Sequence, residues 1–178
     1  MNILGLFFIL LMQAAKPDPV AGLPAEAGIY FRQGDGWEKL QPASMAEMKT
    51  KGVGLFLETD GLAGLDLTMN YSGAHARVQI GTPQPVFYVR GFGSAKDALI
   101  VQLTQKKDSR AIRTSSLDVT VDNKGGFRKD VIRHVSVTEY SDGSFSATPD
   151  QKLKAGEYLL VFGHAITGHD FGITKAAR

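Results

Sequence analysis

The sequence predicts an all-β fold, a single antiparallel β-sandwich. Three observations carry that expectation. Short runs of alternating apolar and polar residues recur at near-regular spacing, with turn residues between them. Twenty Gly and seven Pro in 178 residues suit a turn-rich fold rather than a helical bundle. One run, Tyr158 to Phe162, is apolar on both parities, as a central strand covered on both faces would be.

The chain begins with an uncharged apolar run, Ile3 to Met12. It is too short to span a bilayer as a helix and has the length of a signal h-region. Ala14 and Ala15 follow, then Lys16-Pro17-Asp18-Pro19, which does not continue a helix well. A signal peptide over residues 1–15 is therefore expected, with cleavage after Ala21 as the alternative. No Lys or Arg precedes the apolar run, which departs from the usual signal pattern. No second segment of spanning length follows, so no membrane span is expected after processing. An extended lead-in then covers 16–27, the sandwich domain 28–174 and a fraying tail 175–178.

Gly28 to Gln33 reads as a strand with Ile29 and Phe31 on one parity. Gly34-Asp35-Gly36 turns it into a partner at Trp37 to Leu40. Trp37, the only tryptophan, is expected to pack at the core or its rim. Ser44 and Glu47 match a capping box, which predicts one short helix from Met45 to Lys49, stopped by Gly52. Strand character resumes from Val53 to Thr59, and Asp60-Gly61 is a hairpin signal. Leu65, Leu67 and Met69 then alternate with polar residues. Ala76, Val78 and Ile80 repeat the pattern, and so do Leu99, Val101 and Leu103. Val86 to Val89 is a short apolar run between them. Leu117, Val119 and Val121 form the next alternating set, followed by Val135 and Val137. Asp142-Gly143 turns the chain into Ser144 to Thr148, and His169 to Thr174 forms a last strand. The βαβ alternation of a nucleotide-binding fold is missing.

Before the central run stand Leu153, Gly156 and Tyr158. Their spacing resembles the Leu-x-x-Gly-x-Tyr corner of immunoglobulin-like and fibronectin-like sandwiches. That resemblance implies a Tyr158 hydroxyl bonded to backbone a few residues upstream, a tight turn at Gly156 and an apolar anchor at Leu153. The antibody-type Cys pair is absent, so the likeness is to the architecture and not to antibody domains. Gly-Ile-Tyr-Phe-Arg at 28–32, Pro-Val-Phe-Tyr-Val-Arg at 85–90, Gly-Glu-Tyr at 156–158 and Asp-Phe-Gly at 170–172 accompany the signal-like start. Together they resemble uncharacterised secreted bacterial β-sandwich proteins. The resemblance implies an immunoglobulin-like fold and an exported location, periplasmic or extracellular, and no reaction.

The absence of cysteine excludes disulfides, thiolate metal sites, a Cys nucleophile and a lipidated Cys. His164 and His169 flank a short loop and Asp170 adjoins the second, so these three are the candidate metal ligands. Their spacing follows no metal template, and no cofactor is expected. No Ser lies in Gly-x-Ser-x-Gly, and Asp118 and Asp122 are unmarked as a carboxylate pair. Asp170-Phe171-Gly172 spells the metal-binding tripeptide of kinases, but every other kinase motif is missing.

Charge distribution is more suggestive. Net charge is only +2. Between Gln105 and Arg133, however, Lys106, Lys107, Arg110, Arg113, Lys124, Arg128, Lys129 and Arg133 outnumber Asp108, Asp118, Asp122 and Asp130. Arg110, Arg113, Arg128 and Lys129 are the candidate binding residues for an anionic partner, either a protein or an envelope component. Only Phe127 offers a stacking ring there, which argues against nucleic acid. The expected function is an exported, non-enzymatic binding module. The alternatives are a small secreted metal-dependent hydrolase using the C-terminal His/Asp cluster, and a structural subunit completed by strand addition at an open sheet edge.

Overall fold

The structure, a computed structural model, describes residues 19–51, 66–91, 93–114, 127–162 and 168–175. The segments expected as the signal, the strand at Val53 to Thr59, the Asp60-Gly61 turn, the strand at Leu117 to Val121 and His164 lie outside the described residues.

β1 (Gly28–Gln33) and β2 (Gly36–Lys39) form a hairpin, and Gly34 supplies the positive φ of +61° at its tip. β3 (Met45–Lys51), β4 (Asp66–Ser72), β5 (Gln79–Ile80) and β6 (Phe87–Arg90) follow. A single 3-10 turn (Ala95–Asp97) leads into β7 (Ala98–Gln105), which turns back as β8 (Ser109–Thr114). The chain then forms β9 (Ile132–Arg133), β10 (Val135–Glu139), β11 (Phe145–Pro149), β12 (Gly156–Phe162) and β13 (His169–Ile173).

These strands make two sheets. The smaller has the order β10-β11-β6-β1-β2, and every pairing in it is antiparallel. The larger has the order β3-β4-β8-β7-β12-β13-β5, with β9 added beside β7. Its only parallel pair among the described strands is β13 with β5. The inner faces share one core. Ile29, Phe31, Phe87 and Val89 come from the smaller sheet, and Ile100, Leu160 and Phe171 from the larger. Phe87 and Phe171 meet across the gap with ring centroids 4.7 Å apart. The fold is thus a β-sandwich.

A second core lies on the opposite face of the larger sheet. Leu99 and Val101 of β7 and Leu159 and Val161 of β12 are buried there with Met69 and Tyr71 of β4 and Ile112 of β8. The route is visible in the pairing. β8 bonds β7 only at Thr104 and Gln105, and β9 takes the β7 edge at Ile100 and Val101. On its other edge β8 pairs with β4 from Ser109 to Thr114, and the packing of Met69, Tyr71 and Ile112 against Leu99, Val101, Leu159 and Val161 lays the β4-β8 part of the β3-β4-β8 wing over the outer face. This explains why the residues of β12 are apolar at both parities: Tyr158 and Leu160 face one core, Leu159 and Val161 the other. Each such side chain, fully buried, contributes about 1.5–3 kcal/mol.

The short helix expected from Met45 to Lys49 is corrected by the structure, which has β3 there. The capping-box pattern concerns local hydrogen bonds only. Pairing with β4, from Met45 opposite Tyr71 to Lys51 opposite Asp66, gives the backbone groups on that side of the segment their partners instead. The Ser44 carbonyl accepts from the Ser72 amide at 2.9 Å, which anchors the start of the strand.

Candidate functional site

The residues singled out from sequence do not form one site. Arg110 is buried at 2% exposure, away from any solvated basic surface. Its guanidinium is ion-paired with Asp170, lies 3.9 Å from Glu157, and donates to the Gly73 and Ser72 carbonyls at 3.0 and 2.7 Å. Glu157, also buried, accepts from the Ala76 amide at 2.7 Å and lies 3.0 Å from Nδ1 of the exposed His75. This network ties β8 and the segment after β4 to β12 and β13, so it works as a latch between wing and sandwich. Tyr71 lies within reach of these charges: burial pushes its phenol up to about 12, with the Arg110 charge opposing the rise and the Asp170 charge adding to it. Arg128 is exposed and paired with Asp130 at 3.0 Å, and Lys129 is exposed beside it. The Arg113 side chain lies outside the described residues, although its backbone in β8 pairs with Thr68.

The C-terminal set separates as well. His169 and Asp170 are adjacent on β13, so their side chains point to opposite faces. Asp170 is engaged by Arg110. His169 is half-buried, and burial lowers its pKa below the ordinary histidine value. Among the described residues no group of three His, Asp or Glu side chains converges as a metal site would. Phe171 of the Asp-Phe-Gly triplet is fully buried against Phe87 and Tyr158.

The corner residues are gathered at one end of the sandwich. The Tyr158 hydroxyl donates to the Lys154 carbonyl, four residues upstream, at 2.8 Å. Leu153 is buried in the shared core, and its amide donates to Pro83 at 2.7 Å. Gly156 is the first residue of β12 and pairs with Ile173. Burial raises the Tyr158 pKa, and the nearby Arg133 charge opposes the rise.

A run of concavities starts at this corner. A cleft of about 510 Å³ is lined by Arg133, His134, Asp150, Lys152, Lys154 and Tyr158, among others. It shares Ile132 and His134 with a second cleft of about 550 Å³, walled by the 3-10 turn and Ala98 on one side and by Val135, Val137 and Glu139 on the other. That one shares Ala95 and Glu139 with a third, which ends at Gly91, Gly143 and Tyr140. Through these shared residues the three clefts follow one another along β10, from His134 to Tyr140, as a groove.

The groove follows a strand edge that is open among the described residues. β10 is the terminal strand of the smaller sheet and pairs only with β11 among the described strands. At one end Asp150 N–H donates to His134, and at the other Tyr140 N–H donates to Ser144. In an antiparallel ladder such pairs recur at every second residue. His134, Ser136, Thr138 and Tyr140 therefore direct their backbone groups at the β11 side, and Val135, Val137 and Glu139, which line the groove, direct theirs away from β11 toward the edge of the sheet. Arg133 at the groove's head donates to the Asp130 and Ile132 carbonyls at 2.7 and 2.8 Å and to the Gln102 side chain. All these acceptors are neutral, so its charge is fixed in place without being cancelled by them.

The outer face of the smaller sheet carries a separate aromatic set. Trp37 is half-buried, meets Tyr88 edge-on at 4.9 Å, and has the Arg32 guanidinium 4.6 Å above its ring. Its ring is thus engaged at the rim of the fold.

The groove was not legible in the sequence. Val135 and Val137 mark a strand, but local alternation does not say which strands are neighbours, and an edge is defined only by its missing neighbour. No helix among the described residues is long and apolar enough to cross a membrane. Comparison with protein-family models, with curated proteins and with solved structures gave no match.

Proposed function

We propose that the protein is an exported, non-enzymatic binding module of the bacterial envelope, and that it holds a partner protein in the groove beside β10. The observation that carries this reading is the coincidence of this run of clefts with the side of β10 that is unpaired among the described strands. Backbone groups directed toward a sheet edge are recognition elements already fixed in space, so binding a chain there costs little reorganisation. Export is supported by the apolar run Ile3 to Met12 with Ala14 and Ala15 behind it. An immunoglobulin-like classification is supported by the Tyr158 corner bond at the entry to β12. The hydrolase alternative has less behind it, because Asp170 is spent on Arg110 and His169 turns to the other face of β13.

The test is site-specific photo-crosslinking in intact cells. A crosslinking residue placed at His134 or at Glu139 lies in the groove, and one at exposed Lys129 lies outside it. The two groove positions should yield an adduct of the same mass gain, and Lys129 none. Adducts at Lys129 alone, or none from the groove, would contradict the reading.

A further inference from the structure

We infer that the groove's ligand is an extended polypeptide segment that adds to β10 as an antiparallel strand and carries a carboxylate at its C-terminal end. The inference rests on the groove being the binding surface and names what fills it. Val135, Val137 and Glu139 each present one N–H and one C=O at the edge of the sheet, spaced two residues apart along the strand. A second backbone in the extended conformation offers donors and acceptors in that alternation and at that spacing, which a glycan or a lipid headgroup does not. β10 also lacks the usual protection of an edge. It contains no Pro and no Lys, and its only charged residue is Glu139 at the end.

Charge sets the direction. The groove's head, at the N-terminal end of β10, holds Arg133, His134, Lys152 and Lys154 against one carboxylate, Asp150. Asp150 already accepts from the Ser136 hydroxyl at 2.7 Å. The opposite end of β10 carries Glu139, and Asp97 stands across the groove with Lys96 beside it. An antiparallel occupant brings its C-terminal end to the basic head and its N-terminal end toward Glu139. A parallel occupant would reverse both contacts. The half-buried Arg133, held in position by neutral acceptors, is the natural partner for that carboxylate. Between the two ends the partly buried Ala98, Val135 and Val137 offer apolar wall to alternate side chains of the ligand. The carboxylate is either the terminal one or an acidic side chain.

The probe is the heptapeptide Lys-Thr-Val-Thr-Val-Ser-Val, titrated into isotope-labelled full-length mature protein and read by amide chemical shift and hydrogen exchange. Three forms are compared: free acid, C-terminal amide, and the amide with Asp in place of the last Val. The free acid should protect the Val135, Val137 and Glu139 amides and bind at least about tenfold more tightly than the plain amide. Recovery of affinity by the Asp form assigns the site to an acidic side chain, and its failure to recover assigns it to a chain terminus. Lys152→Glu combined with Lys154→Glu, both at exposed positions, should reduce the free acid to the level of the amide. Val137→Pro removes an N–H from the sheet edge and none from the β11 ladder, and should weaken every form. Equal binding of acid and amide overturns the carboxylate. Binding without protection of the three amides, or no binding at millimolar peptide, overturns strand addition. If the photo-crosslinks still form at His134 and Glu139 in that event, the groove stands as the binding surface and only its ligand is wrong. If they also fail, both readings fall.

Discussion

At the residue scale, two side chains hold the architecture to its site. The Tyr158 hydroxyl closes the corner by its bond to Lys154, and that corner forms the floor of the groove's basic head. Tyr158→Phe keeps the ring in the core beside Phe171 and removes one hydrogen bond. It should cost about 1 kcal/mol in urea unfolding, the net worth of such a bond. No change in the unfolding midpoint would mean that the corner is held by Leu153 and packing alone. Arg110 is the stronger case. Arg110→Ala leaves Asp170 and Glu157 buried without their cation, and should destabilise the fold by about 3–5 kcal/mol. Adding Asp170→Leu to Arg110→Met should recover part of that loss, since it removes one stranded carboxylate as well. A loss below about 1 kcal/mol for Arg110→Ala, the range of an exposed pair, would contradict the latch. Composition made Arg110 look like its exposed neighbours. A charge is legible in sequence, but its burial depends on Asp170 and Glu157, which lie on strands far along the chain.

At the element scale, β12 and β13 show how tightly the centre is built. Gly168, at the entry to β13, leaves a Cβ only 2.7 Å from Val161 Cγ1 and 3.0 Å from the Leu160 carbonyl. Gly168→Ala therefore forces the two strands apart, with an expected cost of about 1–3 kcal/mol in the same unfolding assay. An unchanged midpoint would show that β13 can shift without penalty. β12 was legible because both its neighbours lie in the same sheet and both its faces are covered, which leaves an unbroken apolar run. Hairpins were legible for a local reason: Gly34 and Gly143 adopt the positive φ that their turns need. β3 was not legible. Its described residues are exposed on both faces, so no period-two pattern marks it, and the Ser44–Glu47 spacing imitates a helix start. What makes it a strand is β4, supplied by residues about twenty positions later.

At the scale of the whole molecule, two cores share one sheet, and the buried titratable groups lie around them. Burial raises Tyr158 and Tyr88 above the ordinary phenol value of 10.0 and takes Tyr71 to about 12. A phenol whose folded pKa is raised stabilises the fold below the unfolded value, and this is lost as pH climbs through 10.0 toward about 12. Burial lowers His169, so its contribution is present above the ordinary 6.5 and is lost as pH falls through that value and the unfolded chain gains the proton. Asp142 is lowered by hydrogen bonds from Ser144, and its contribution fades further down, as pH falls below 3.8. Thermal unfolding should therefore show a plateau between roughly pH 7 and 10 that falls on both sides. A midpoint still rising above pH 10 would contradict the burial of these phenols. The same layered plan leaves β10 at the end of the smaller sheet, where the chain passes from β9 in one sheet to β10 in the other at His134. The groove follows from that crossing. Amide hydrogen exchange along β10 in the free protein tests it most directly. The account predicts fast exchange at Val135, Val137 and Glu139 and slow exchange at Ser136 and Thr138, an alternation that vanishes when the groove is filled. Uniform protection of all five amides in the free protein would contradict an open edge.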